Sequence, residues 1–197
     1  MIEKKILERK YFKERKSVTD IANELGCSQN KITYWLNKYG YKKRTISEAI
    51  YIKANPKGHP FEYRVPGNSK EWFLYGLGLG LYWGEGNKLN KHAVRLGNTD
   101  PHLIKWFLIF LTDIYQVDKK RLKFGLQIFS DINENEAKKF WCNKLKIKPQ
   151  QFQKVVVTES FRRGSYTHKC PYGVLTVYFS NIKLRDTINS AIDELRN

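Results

Sequence analysis

The chain has 197 residues, enough for one or two domains with a substantial core, and its 14% aromatic and 41% hydrophobic content argues for a globular protein rather than a disordered one. Its 36 Lys and Arg face 19 Asp and Glu, and the resulting charge of +17 points to a polyanion, nucleic acid first, rather than to a small-molecule substrate. The sequence contains neither the Lys-rich amphipathic helix nor the lipidation signal that a basic membrane-surface protein needs.

Residues 2 to 40 predict three short helices. Ile6, Leu7, Tyr11 and Phe12 give the first an apolar side. Ser17 or Thr19 caps the second, whose inward residues are Ile21, Ala22 and Leu25. Gly26-Cys27-Ser28 makes a tight turn, and Ser28 caps a third helix, Gln29 to Tyr39, with Ile32, Trp35 and Leu36 inward. The spacing of Ile21-Ala22, Leu25-Gly26, Ser28, Ile32 and Leu36 resembles the helix-turn-helix of bacterial regulators and recombinases, whose second helix enters the major groove through its N-terminal half. That resemblance makes Gln29, Asn30, Lys31, Thr33 and Tyr34 the readers, since amide and hydroxyl groups address base edges while lysine serves phosphates. A three-helix packing module with a polar outer face is the other reading.

Tyr41-Lys42-Lys43-Arg44-Thr45 forms a basic arm, which makes Lys42, Lys43 and Arg44 DNA contacts, and a short helix follows over Ser47 to Lys53. Pro56, Gly58, Pro60, Pro66 and Gly67 then break regular structure. The expected organisation is an N-terminal domain over 1–54, a linker over 55–70 and a second domain over 71–197. The first 70 residues hold 16 basic and 7 acidic side chains, so charge is densest at this end.

The run Trp72 to Lys88 is the most apolar in the chain, and it ends in one carboxylate, Glu85, between Gly84 and Gly86. Glycine costs about 1 kcal/mol relative to alanine inside a helix, so Gly76, Gly80 and Gly84 call for a compensating contact. Four apart, they make a stripe free of side chains against which another backbone can press. Leu77, Leu81 and Tyr82 are expected to flank the stripe, and Gly86 to cap the helix in the left-handed conformation. A helix this short does not span a bilayer, so the partner is another protein helix. Glu85 at the negative end of the helix dipole implies a ligand, most simply a cation. The alternative for the same run is an apolar, Gly-rich helix in a buried core.

Leu79-Gly80-Leu81-Tyr82-Trp83-Gly84-Glu85-Gly86 resembles the signature of the LAGLIDADG homing endonucleases, with Gly78 under its first letter. In that family the motif helices pair through small residues and the next-to-last letter is a metal-binding acid. The resemblance therefore implies a dimer interface at Gly76, Gly80 and Gly84, and a metal held at Glu85 and Gly84. Among the letters that depart, Gly78 replaces a leucine, Trp83 replaces the first aspartate, and Glu85 stands where aspartate is usual.

Farther on, Lys88 to Asn98 predicts two short strands, and Thr99 or Asp100 caps a helix opening at Pro101 with the stripe Leu103, Phe107, Phe110, Leu111 and Ile114. Leu122 to Phe129 is a strand of clear period two. Glu134 to Leu145 is a helix. Val155 to Thr158 and Gly173 to Phe179 are expected to pair around a polar loop, and Asn181 caps a final helix with Leu184, Ile188, Ile192 and Leu195 inward. The fold class is α+β, and the order over 71–197 resembles the LAGLIDADG core, αββαβ(α)ββα, with a concave antiparallel sheet. The resemblance places that sheet in the major groove, with Arg95, Lys123, Gln127, Arg162, Arg163 and Lys169 near DNA. It makes Lys183 the basic residue beside the metal and Asn98 a water-positioning group, although an ordinary surface lysine fits position 183 equally well.

The reading that follows is a sequence-specific endonuclease that binds duplex DNA as a homodimer and uses Mg²⁺ or another divalent cation. Two copies are needed because each supplies a single Glu85. The alternatives are a catalytically inactive LAGLIDADG-fold transcription regulator and, with a smaller share, an RNA-binding or splicing-helper role. Cys27, Cys142 and Cys170, odd in number and scattered, fit a reducing intracellular compartment, cytoplasmic or nucleoid-associated. His168 with Cys170 is too little for zinc, and the N-terminus lacks the apolar region of a signal peptide.

Overall fold

The computed structural model describes residues 1–160 and 170–196, so Arg162, Arg163 and Lys169 lie outside the described residues. The chain divides into two compact units, Met1–Pro60 and Phe61–Asn197.

In the first unit, α1 (Lys4–Leu7) runs into a π-helical turn (Glu8–Lys13), followed by α2 (Val18–Glu24), α3 (Gln29–Lys38) and α4 (Ile46–Ala54). Ser17 rather than Thr19 caps α2: its Oγ accepts from the Asp20 N–H at 3.1 Å, and the Asp20 carboxylate accepts from the Ser17 N–H at 3.0 Å. Gly26 sits at φ +60° in the turn before α3, a conformation glycine reaches without steric cost. Leu7, Tyr11, Ile21, Ala22, Ile32 and Leu36 are buried together as this unit's core.

The second unit is α+β. Its elements are α5 (Ser69–Glu85), β1 (Val94–Asn98), α6 (Pro101–Ile109) with a π-helical turn (Phe110–Ile114), β2 (Lys123–Phe129), α7 (Glu134–Leu145), β3 (Val156–Thr158), β4 (Val174–Phe179) and α8 (Ile182–Glu194). Asp100, not Thr99, caps α6, and Asn181 caps α8. Before α5, the Glu62 and Arg64 N–H groups donate to the carbonyls of Tyr115 and Ile114. Residues 61–64 are thereby tied into this unit.

The four-stranded sheet has the order β1-β4-β2-β3, with β3 parallel to β2 and the other pairs antiparallel. This corrects the expected antiparallel sheet and the expected pairing of β3 with β4. Helix α7 connects β2 to β3 and returns the chain to the end from which β2 started, which makes the strands parallel. In β4, Leu175, Val177 and Phe179 are buried, as suits a central strand, whereas Val156 and Val157 of β3 stay exposed at the edge. A second correction concerns Lys88 to Asn98, which holds one strand rather than two. Asn90 Oδ1 accepts from the N–H groups of His92 and Ala93, and Asn87 Oδ1 accepts from that of Asn90. Side chains thus take donors that a strand ladder would need.

One sheet face, with Val94, Leu96, Phe124, Leu126, Leu175 and Val177, is buried in a common core with Leu79, Tyr82, Phe107, Phe110 and Trp141. On the other face Arg95, Gly97, Lys123, Gly125, Gln127, Thr176 and Tyr178 are half-buried or exposed. Among the described residues, no helix is long and apolar enough to cross a membrane.

Candidate functional site

Helix α5 has two unlike faces. Leu74, Gly78, Leu79 and Tyr82 are buried, whereas Trp72, Phe73, Gly76, Gly80, Trp83 and Gly84 are exposed. A Cβ added at Gly76, Gly80 or Gly84 would meet no atom within 4 Å, so the three glycines form an open ridge facing away from the chain's own sheet. None of the exposed arc's own residues is charged; Arg196, beyond α8, lies with its guanidinium 5.3 Å from the Trp83 ring centre. Tyr82 does not flank the ridge as expected. Position 82 is about 200° round the helix from position 80, which turns the ring inward to stack on Phe107 at 6.0 Å. Burial pushes its hydroxyl pKa up.

Glu85 is the last residue of α5 and is exposed. Gly86 is extended, at φ −70° and ψ 141°, which corrects the left-handed cap. Its N–H donates to the Tyr82 carbonyl at 2.9 Å, and a Cβ at position 86 would clash with that same carbonyl. Glycine is therefore needed here for close approach, not for a positive φ. The Lys88 ammonium turns back to donate to the Trp83 carbonyl, which puts a cation at the negative pole of the helix that carries Glu85. The loop is in turn held from α8: Arg185 Nε donates to the Asn90 carbonyl at 2.7 Å and Nη2 to the Lys88 carbonyl at 3.1 Å.

Lys88 was legible as a basic residue just past a helix end. Arg185 was not, because nothing in the sequence links it to a loop 95 residues away. Of the residues expected beside Glu85, Lys183 is exposed in the first turn of α8, and Asn98 Oδ1 accepts from the Asp100 N–H at 2.9 Å, shaping the turn into α6. Among the described residues, no three His, Cys, Asp or Glu side chains converge to hold a metal ion.

The sheet face opposite the core carries Arg95, Lys123 and Gln127. Arg95 and Lys123 are both in register with Tyr178 on the strand between them, and the Arg95 guanidinium lies 4.9 Å from the Tyr178 ring centre. Arg95 Nε is buried without a hydrogen-bond partner among the described residues. Gly125 gives Tyr178 its place, since a Cβ there would lie 2.8 Å from the ring, and Gly97 does the same for the Thr176 hydroxyl at 2.7 Å. Tyr178 escaped the sequence reading because its strand was paired with the wrong neighbour. Gln127 donates to Thr158 Oγ1 at 3.3 Å.

In the first unit, Gln29, Asn30, Lys31 and Tyr34 are exposed along α3, and Thr33 is half-buried. Lys42 and Lys43 are exposed as well. Arg44 is engaged within the unit instead: its guanidinium lies 3.9 Å from the Tyr11 ring centre, Nη1 donates to the Lys16 carbonyl at 3.0 Å, and its backbone N–H donates to the Tyr11 hydroxyl at 2.7 Å.

No family model, no curated protein and no solved structure matches the chain.

Proposed function

We propose that this chain is a sequence-specific DNA endonuclease on the LAGLIDADG plan, acting as a homodimer on duplex DNA with a helix-turn-helix module in its N-terminal unit. One observation carries the reading: α5 holds three glycines in open space on an uncharged face and ends at an exposed carboxylate. An isologous contact along that ridge sets two Glu85 side chains side by side. One chain offers Glu85 and the last-turn backbone at Gly84, too few donors for a divalent ion. Two copies with phosphate oxygens match the oxygen-rich, partly hydrated sphere of magnesium. When bound, the ion supplies an activated water and stabilises the leaving oxygen.

The chain's own residues bind and orient the DNA. Arg95, Lys123 and Gln127 line the sheet face that meets the duplex, and Gln29, Asn30, Lys31, Thr33 and Tyr34 on α3 address the bases, with Lys42 and Lys43 on phosphates. Lys88 holds a positive charge at the helix end beside Glu85.

The test is incubation with a supercoiled plasmid library and magnesium, with solution mass measured in parallel. The nuclease reading expects cleavage that is lost in Glu85→Gln while DNA binding is retained. A second reading is a DNA-binding regulator that has kept only the platform, favoured by Trp83 in place of the first aspartate of the signature and by Glu85 where aspartate is usual. Binding without cleavage at any site would select the regulator.

A further inference from the structure

We propose that the cleft beside the N-terminal end of α5 receives the Trp72 indole of a second copy of this chain, so that each subunit fills the other's cleft. The inference rests on the two-fold pairing along the glycine ridge proposed above and says which side chains give that pairing its strength.

The cleft has a volume of about 760 Å³, and its walls include Arg64, Lys70, Phe73, Trp106, Asp113 and Gln116. Phe73 and Trp106 meet edge to face, with ring centres 6.5 Å apart, yet remain 63% and 44% exposed. Trp72, the neighbour of Phe73 in sequence, is 51% exposed but lies on a different side of the helix.

At 100° per residue, Trp72, Trp83 and Gly76 fall on one side of Gly80, and Phe73, Gly84 and Leu77 on the other. Bringing both Glu85 side chains to one place requires a two-fold axis running along α5. Such an axis lays each side of the ridge against the opposite side of the other copy. Trp72 of one subunit then faces Phe73 and the cleft of its partner, at the same height, because adjacent residues differ by only about 1.5 Å along the axis.

Charge selects this occupant. In a chain of +17, the ridge residues carry no charge, and a charge on the two-fold axis would meet its own copy. A polyanion would need a cluster of cations there, more than the single Arg196 guanidinium on the Trp83 ring. In the cleft Arg64 is paired with Glu71, and the other charged walls, Lys70 and Asp113, are of opposite sign. The surroundings are thus close to neutral, and Asp113 and Gln116 offer oxygen acceptors for the indole N–H, which requires one when buried.

The test uses the full chain and measures solution mass against concentration for wild type, Trp72→Ala, Trp106→Ala and the double variant. Each single change should weaken self-association by about tenfold or more, as truncation of a central aromatic anchor does. The double variant should lose little beyond either single one, because both remove one contact across the interface. Since Trp72 and Trp106 are substantially exposed, the monomers keep their fold, and unchanged far-UV circular dichroism checks this. Wild-type affinity in Trp72→Ala, or losses that add in full, would overturn the cleft assignment while leaving the ridge dimer standing. A wild type that is monomeric at all concentrations, with and without DNA, would sink both.

Discussion

Phe110 occupies the space that a side chain at position 78 would need: a Cβ on Gly78 would collide with its ring. Among the four glycines within α5 itself, Gly78 is thus the one whose bareness serves the chain's own core. The π-helical turn after α6 brings Phe110 in to fill the place. Gly78→Ala should destabilise the protein by about 1–3 kcal/mol, the usual cost of overpacking, and Gly78→Leu should prevent folding. Denaturant unfolding of the purified variants checks this. An unchanged midpoint in Gly78→Ala would mean that Phe110 is free to move aside.

Gly76 and Gly80 predict the opposite sign. Alanine there meets open space, so Gly80→Ala should stabilise the isolated chain by up to about 1 kcal/mol through helix propensity alone. Self-association should weaken at the same time, because the added methyl holds the two backbones apart. Thermal unfolding at low concentration and solution mass at high concentration read the two effects separately. A stabilised variant that dimerises like wild type would remove the reason for the ridge.

Arg44 and Lys43 are neighbours in sequence with different expected roles. Arg44→Ala breaks a guanidinium that stacks on Tyr11 and donates to main-chain carbonyls, so it should destabilise the first unit by about 2 kcal/mol. Lys43→Ala should leave stability alone and lower DNA affinity, reducing the salt dependence by about one counterion. Unfolding curves together with binding at several salt concentrations distinguish the two. Equal loss of binding with no loss of stability in both variants would return Arg44 to the DNA surface.

The first unit should also weaken in acid. Hydrogen bonds from Lys10 and Lys16 hold the Glu24 carboxyl below its ordinary value of 4.5, and those from Ser17 hold Asp20 below 3.8. A carboxylate whose folded value is depressed contributes stability above its unfolded value and loses it as pH falls through the folded one. Stability should therefore begin to drop below about pH 4.5 and keep falling under pH 3.8, and Glu24→Gln should flatten the first part of that decline. Circular dichroism melts from pH 6 downward, to about pH 3, provide the measurement. A wild type and a Glu24→Gln variant with parallel pH profiles would show the Lys10–Glu24–Lys16 cluster to be inconsequential.

The sequence by itself determined the local pieces, because local chemistry makes them: Ser28 and Asn181 as caps, Leu184, Ile188 and Ile192 as the buried stripe of α8, and the alternation of β2; Leu195, expected inward with that stripe, instead lies past the end of α8 and is exposed. It also determined that Gly76, Gly80 and Gly84 share one helix face, since that follows from 3.6 residues per turn. Only the tertiary structure decided which glycines face outward, since Gly78 differs from Gly80 through a ring 32 residues away. Tertiary structure likewise placed β4 between β1 and β2, ran β3 parallel to β2, spent Arg44 on Tyr11, and sent Arg185 to hold the loop after Glu85. The reason is the same in each case: helix periodicity and capping are set within a few residues, whereas strand order, close packing and long side-chain hydrogen bonds depend on segments that meet only once the chain has folded.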